Sequence, residues 1–445
     1  MKGYTHTFLV LSFILVIFPA MKGFSQNEFG NSNLRLYLDD NKEHWLQFSS
    51  FVQLWSRVTE NNPGTTVNDV PEAVTSDISI RRFRLGLAAK PADKVFVFFQ
   101  LGVNNLNYLS PRGTSIDLLD AYVQYELSPY IALGGGKSFW NGLSRFTSPS
   151  TSKLMGYDLN FVASPTLDST DDLIRRLSIY AKGKIGAIDY RFIVAKPLSV
   201  QNSSAFNAEP IEGIASFNDK RPHPQFSGYA KYEFWEPESN LSAANVGTYL
   251  ATKKVLNLGI GFTHQTDALW SLKQGKESYH NMSLFAMDAF MDLPINTDKK
   301  TALTTYLSYF NFNFGPNYIR LLGANNPANG VIAEESSFNG RGNAFPISGT
   351  GTSTFAQIGF LFESMGKQKN QGQLQPYVAA QYSNFDRFEN AMFYYDLGIN
   401  WYLNGHASKF TLNAENRPIF QDTDTVIRLD ERKWMFVLQY QFRID

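Results

Sequence analysis

The stretch Trp434-Met435-Phe436-Val437-Leu438-Gln439-Tyr440-Gln441-Phe442-Arg443-Ile444, followed only by Asp445, decides how this chain is read. Successive side chains of a strand point to opposite faces. One parity here carries Trp434, Phe436, Leu438, Tyr440, Phe442 and Ile444. The other carries Met435, Val437, Gln439, Gln441 and Arg443. A strand that crosses a bilayer needs about 9–11 residues and turns only one face to lipid. The last strand of a soluble sandwich would also have one apolar face, so the rest of the chain must choose between them.

The beginning of the chain points to export. Lys2 gives a positive start, Phe8 to Phe18 is apolar apart from Ser12, and Pro19 ends the run. Gly23 and Ser25 are small residues at the −3 and −1 positions of a cut before Gln26. Residues 1–25 read as a secretory signal peptide, too short to span a membrane. No cysteine is present, which excludes a lipid-anchored N-terminal cysteine, disulfides and thiolate metal sites. Of 40 basic residues, losing Lys2 and Lys22 leaves 38 against 40 acidic ones, so nucleic acid is not an expected partner. No later segment approaches the ~20 apolar residues of a spanning helix. The mean hydropathy of −0.24 suits a barrel with a wet interior as well as a soluble protein.

Alternation therefore carries the argument. Leu46, Phe48, Val52 and Leu54 oppose Gln47, Ser49, Gln53 and Arg57; Phe83, Leu85 and Leu87 oppose Arg82, Arg84 and Gly86. Val95 to Val103, Leu119 to Leu127, the segment around Ile131 and Leu133, Arg176 to Ala181, and Asp189 to Val194 continue the pattern. Further segments are expected at 225–235, 254–264, 283–293, 301–312, 353–363, 374–384, 391–402, 406–416 and 434–444, with 283–293 and 353–363 the weakest. That makes sixteen. The connections sort by side: short ones follow strands two, four, six and fourteen. Long ones follow strands three, five, seven, nine, eleven and fifteen, and include 138–172, 196–224 and 313–352. This is the pattern of an all-β transmembrane antiparallel barrel with short periplasmic turns and long extracellular loops. Residues 236–253 break it and read as an elaborated periplasmic turn, with a missed strand as the alternative. The organisation expected is a leader at 1–25, a short periplasmic segment at 26–44 and a barrel over 45–445. Sixteen strands leave room for an aqueous channel. Trp45, Trp55, Tyr190, Trp235, Tyr309, Trp401, Tyr402 and Trp434 are expected in the aromatic girdles at the lipid boundaries.

Three stretches carry a family resemblance. They are Ile80-Arg81-Arg82-Phe83-Arg84-Leu85-Gly86-Leu87, Leu119-Asp120-Ala121-Tyr122-Val123-Gln124-Tyr125, and Leu133-Gly134-Gly135-Gly136-Lys137 leading to Thr147-Ser148-Pro149-Ser150. Their order and spacing resemble the phosphate-selective porin O/P family in the form common in Bacteroidetes, most clearly over residues 78–200. The resemblance implies a sixteen-stranded, often trimeric outer-membrane barrel whose third loop folds into the pore, and 138–172 stands where that loop belongs. It departs in charge: anion-selective members line the pore with arginine and lysine, whereas this mature chain is slightly acidic.

The inward parity nominates pore-lining residues: Arg82, Arg84, Arg176, Lys182, Arg191 and Lys231, with Lys137 and Arg145 at the start of the third loop. Cations along a narrow wet passage concentrate anions, and guanidinium forks suit phosphate or carboxylate. The same cations could instead pair with Asp120, Glu126, Asp189 or Glu233 and brace the wall. The pairs Asp171-Asp172 and Asp422-Thr423-Asp424 could hold a divalent cation but read first as solvated loop. His44, His223, His264, His280 and His406 lack metal-ligand spacing, no nucleophile elbow appears, and Gly134–Lys137 lacks the full phosphate-loop pattern. No cofactor, metal or catalytic residue is expected. The expected partners are outer-membrane lipid and small anionic or hydrophilic solutes, with a homotrimer or other outer-membrane proteins as assembly partners. The leading expectation is a passive porin of a Gram-negative outer membrane; the alternative is a porin-like structural or assembly subunit with its pore occluded.

Overall fold

The alternating segments close into one barrel in the computed structural model, which describes residues 34–200, 209–366, 372–422 and 427–444. The expected leader, residues 26–33 and Thr423-Asp424 lie outside the described residues. Sixteen antiparallel strands form the wall: β1 Trp45–Glu60, β2 Val74–Ala92, β3 Val95–Leu106, β4 Asp117–Ser128, β5 Ile131–Ser138, β6 Arg176–Ile185, β7 Ile188–Lys196 and β8 Gln225–Glu233. They continue as β9 Val255–Lys273, β10 Lys276–Asn296, β11 Thr301–Asn313, β12 Gly351–Leu361, β13 Gln373–Phe385, β14 Met392–Asn404, β15 Ser408–Asp422 and β16 Ile427–Ile444. All sixteen expected strands are present, including the two weakest. No helix is long and apolar enough to cross a membrane among the described residues.

The last strand closes the ring. β16 pairs with β15 on one side and with β1 on the other, where Gln441 faces Gln53 and Gln439 faces Trp55. Each wall strand then has two hydrogen-bonded neighbours, so no edge is left with orphan N–H and C=O groups. The outer face is apolar: Leu54, Phe99, Ile179, Leu258, Met287, Leu307, Val378 and Phe436 are all exposed. In the middle of β16 the inner parity is covered, with Met435, Val437, Gln439 and Gln441 at 1% exposure or less.

The ends of the strands differ from expectation. β9 and β10 run on as a tall hairpin to a two-residue turn at Gln274-Gly275, both with positive φ. The long loop expected after strand nine is therefore strand. β15 and β16 likewise extend through most of the expected loop between 416 and 434. In these extensions the alternation breaks, because the register slips at Gln265/Leu269 and Ile419/Phe420 and the neighbouring Ala268-Leu269-Trp270 and Ile419-Phe420 are buried in a row, while backbone pairing continues. Residues 236–253 contain no wall strand; the connection folds into the barrel, which bears out the turn reading.

One irregularity re-aims a charge. The register between β1 and β2 shifts at Gln53/Leu54, so that Gln53 faces Arg82 and Leu54 faces Ile80. This bulge places Arg81 and Arg82 side by side on the inner face, 4% and 2% exposed. The girdle expectation fails at three positions. Trp45 packs on Phe96 (6.3 Å) at the edge of the interior cluster. Trp55 and Tyr402 point inward, where their polar tips reach Gln439 (2.7 Å) and Gln375 (2.7 Å). Trp55 shares the parity of Gln53 and Arg57, so the pleat carries it inside whatever its aromatic character.

Candidate functional site: two segments folded into the lumen

The barrel interior is occupied by its own chain. Residues 139–175, the connection after β5, enter the lumen and cross it. Beside the strand that the loop leaves, Trp140 stacks on Tyr180 of β6 at 5.0 Å; Phe146 already meets Tyr306 of β11, across the lumen, at 4.5 Å. At the far wall Lys409 Nζ donates to the Leu154 carbonyl (2.9 Å) and Asn400 Nδ2 to the Met155 carbonyl (2.7 Å). The Tyr157 backbone N–H donates to the Tyr377 hydroxyl (3.0 Å), and its phenol donates to Glu415. Strands β1 and β16 hold the middle, with Gln53 Nε2 and Gln441 Nε2 donating to the Thr151 and Ser152 carbonyls. One buried hydrophobic cluster consequently runs from Phe96, Tyr122 and Ile193 through Phe139, Trp140 and Phe161 to Phe385, Met392 and Phe420 on the opposite wall. Spaces beside the loop have volumes of only about 30, 10 and 20 Å³, room for one or two waters each. A wider cavity of about 620 Å³ opens at the short-turn end, between Trp45, Lys90, Lys94, Phe96, Lys182 and Lys253.

The second intruder is the connection 234–254, which enters from the short-turn side. Its Glu238 receives both guanidinium nitrogens of Arg145 at 2.6 Å, the Lys231 ammonium at 2.7 Å, and hydrogen bonds from Asn257 and Tyr249. Burial alone would raise the Glu238 carboxyl. The attraction of Arg145 and Lys231 outweighs it and holds the group well below the usual carboxylate range.

Every nominated residue but Lys137 is on the inner side or in the lumen loop. Lys137 stands on β5 opposite the exposed Leu177, on the outward parity. Most of the nominated residues carry a carboxylate partner. Arg82 bonds Asp158, which also takes Arg81 Nε at 2.8 Å. Arg176 binds Asp171 at 2.8 Å, and Lys137 binds Asp172 at 2.5 Å, so both members of the Asp171-Asp172 pair hold cationic side chains of this chain. Lys231 lies 2.7 Å from Glu238, 3.3 Å from Glu233 and 3.6 Å from Asp189. Three have neutral partners instead. Arg84 donates to the Phe83 and Val103 carbonyls and to Asn104; Lys182 donates to the Asn240 carbonyl; Arg191 donates to the Ala243 carbonyl and sits over the Tyr229 ring at 5.1 Å.

Several residues of this interior were not nominated from the sequence. Arg81 was hidden by the bulge, although the Arg81-Arg82 doublet that breaks the alternation is its signal. Asp158 and Glu238 lie in irregular segments, where parity says nothing. Asp396 and Glu415 lie on the inward parity of β14 and β15, under the hydroxyls of Tyr394 and Tyr157. No group of three or more His, Asp or Glu side chains is placed to hold a metal ion among the described residues.

No family model and no curated protein matches the chain. Solved structures do. OmpF of Salmonella typhi, in a complex with daunomycin, matches 92% of this chain and all of its own at 9% identity, with a TM-score of 0.50. OprB of Pseudomonas putida, in a structure at high pH, matches 90% of this chain and 94% of its own at 10% identity, with a TM-score of 0.53. The fold is that of the outer-membrane porins. At such identities the likeness extends to the fold alone.

Proposed function

We propose that this chain is an outer-membrane porin of narrow gauge, passing small hydrophilic solutes or ions, with residues 139–175 as its internal constriction. The observation that carries this reading is the closed sixteen-strand wall, apolar outside and polar inside, with one loop lodged across its lumen. A wall of this size without the loop would enclose a wide aqueous channel; with it, the spaces found beside the loop hold only a water or two each. The protein acts by holding a polar path through lipid, and the loop sets its size and charge. Export by residues 1–25 and residence in a Gram-negative outer membrane belong to the same proposal.

Anion preference, the finer part of the resemblance to the phosphate-selective porin O/P family, would rest on Arg84, Lys182 and Arg191. These make no salt bridge to a carboxylate among the described residues; Asp120, Asp189, Glu126 and Asp288 act on them only from a longer range, so their fields are damped and not cancelled. Replacing all three by glutamine should move the reversal potential in a salt gradient toward cations, and an unchanged potential would remove them from the filter.

A second reading is favoured by the wall-to-wall hydrophobic cluster: a barrel that stays occluded and serves as a structural subunit of an outer-membrane assembly. Planar bilayers separate the two. Purified folded protein should give small discrete conductance steps; a folded barrel that gives none and is recovered with a partner supports the occluded subunit.

A further inference from the structure

The two segments inside the lumen enter from opposite ends and grip one another. Asn245 on the 234–254 connection is the centre of the grip. Its backbone N–H donates to the Ser148 carbonyl (2.9 Å), and its own carbonyl accepts the Ser150 N–H (2.8 Å). Its side-chain amide donates to the Arg145 carbonyl (2.8 Å) and the Ser148 carbonyl (3.2 Å). Pro149 and Asn245 form a parallel bridge, and the N–H groups of Gly247 and Thr248 donate to the Lys153 carbonyl. Residues 145–153 of the loop thus have a short ladder partner that belongs to no wall strand. Gly247 is needed there, since a Cβ would lie 2.9 Å from the Lys153 carbonyl oxygen and 3.0 Å from Leu154 Cα.

The ladder ends on a buried ion pair. Arg145 is completely covered, donates two nitrogens to Glu238 and a third bond to the Val246 carbonyl (2.7 Å), and lies 3.7 Å over the Phe290 ring. Glu238 also collects Lys231 from β8 and Asn257 from β9. One carboxylate therefore ties the constriction loop, the short-turn connection and two wall strands together. A two-pronged guanidinium–carboxylate contact has a fixed orientation, so it sets the angle at which the loop enters the lumen as well as holding it there.

We propose that residues 234–254 are a latch on the constriction loop, and that Glu238 is the positioning residue that closes it. The loop and the connection move as one unit, and releasing the connection from the short-turn side frees residues 145–153. The conductance arm of the test rests on the channel reading above; the exchange arm does not.

The test is amide hydrogen exchange and single-channel conductance on the full-length barrel, comparing wild type with Glu238→Ala. The expected result is exchange faster by roughly ten-fold or more, together, in 145–153 and 243–248, with the wall strands other than β8 and β9 unchanged, and larger or more frequent conductance steps. The chain has no cysteine, so the double variant Pro149→Cys/Asn245→Cys forms a unique cross-link. Oxidation should slow exchange in 145–153 and suppress the steps, and reduction should restore both. This variant leaves the ion pair intact and keeps the proposal testable should Glu238→Ala fail to fold. Exchange rising in 243–248 alone, or oxidised and reduced forms that exchange alike in 145–153, would overturn the latch. Coupled release without any conductance would leave the latch standing and remove the channel reading.

Discussion

Asp158 sits against two guanidinium groups, Arg81 and Arg82, that a bulge has turned to the same side of the wall. All three side chains are at most 5% exposed. Removing one partner from a buried pair leaves an uncompensated charge and costs about 3–5 kcal/mol. Asp158→Asn should therefore lower the thermal unfolding midpoint in detergent far more than a surface Asp→Asn change. Burial raises the Asp158 carboxyl, but Arg81 and Arg82 reverse this and hold it below 3.8. Its contribution is present above pH 3.8 and is lost only as pH falls through that lowered value. Asp168, in the same loop, has the opposite sign. Burial, with Asp171 nearby, pushes it up to about 6. Its folded form prefers the proton, so stability is lost as pH rises from 3.8 through 6. Asp168→Asn keeps the acceptor for the Leu173 N–H and should raise the midpoint at pH 7 by roughly 1 kcal/mol equivalent, with no gain below pH 4. A variant no more stable than wild type at pH 7 would contradict this assignment. At this scale the sequence was only partly legible. Parity placed Arg82, Arg84, Arg176, Lys182, Arg191 and Lys231 inside, because the pleat alone fixes that. It could not place Asp158 or Glu238, because no local period governs an irregular loop.

At the scale of elements, the short strands β5 and β6 show what the glycine run is for. Gly134 lies opposite Tyr180, and a Cβ there would come within 2.3 Å of the tyrosine ring. The ring lies over the bare backbone and carries Trp140, near the start of the constriction loop. Gly136 is held at φ +134, where a Cβ would meet the Ala121 carbonyl at 2.2 Å. Gly134→Val should therefore expel the Tyr180 ring, unseat Trp140 and lower the yield of folded, heat-modifiable barrel; an outward-facing change such as Leu133→Val should not. Normal folding of Gly134→Val would sink the seat proposed for Trp140. The run of three glycines marked this place in the sequence, where it read as a bend entering a loop. The tyrosine that fills the gap comes from a strand more than forty residues later in the chain, and nothing local announces that pairing. The tall β9–β10 hairpin escaped because the register slips between Gln265 and Leu269 and Ala268-Leu269-Trp270 are buried in a row, so pairing continues without the period of two.

For the whole molecule, the wall was legible because lipid on one side and polar groups on the other impose a period of two on every strand. Sorting of long and short connections then supplied orientation. The contents of the lumen were not legible. Whether 139–175 merely dips into the barrel or bridges it depends on Tyr157, Leu154 and Met155 meeting β13, β14 and β15, contacts over two hundred residues long in sequence. Removing the bridging tip, by replacing residues 151–160 with a short glycine-serine linker, should widen the path and raise conductance several-fold while leaving the wall's strand content intact. An unchanged conductance would move the constriction elsewhere in the lumen. The most direct test of the channel itself is conductance of the purified, folded wild-type protein in a planar bilayer under a salt gradient. The account predicts discrete small steps that grow when residues 151–160 are shortened. A fully folded barrel that gives no steps, with or without that segment, would contradict it.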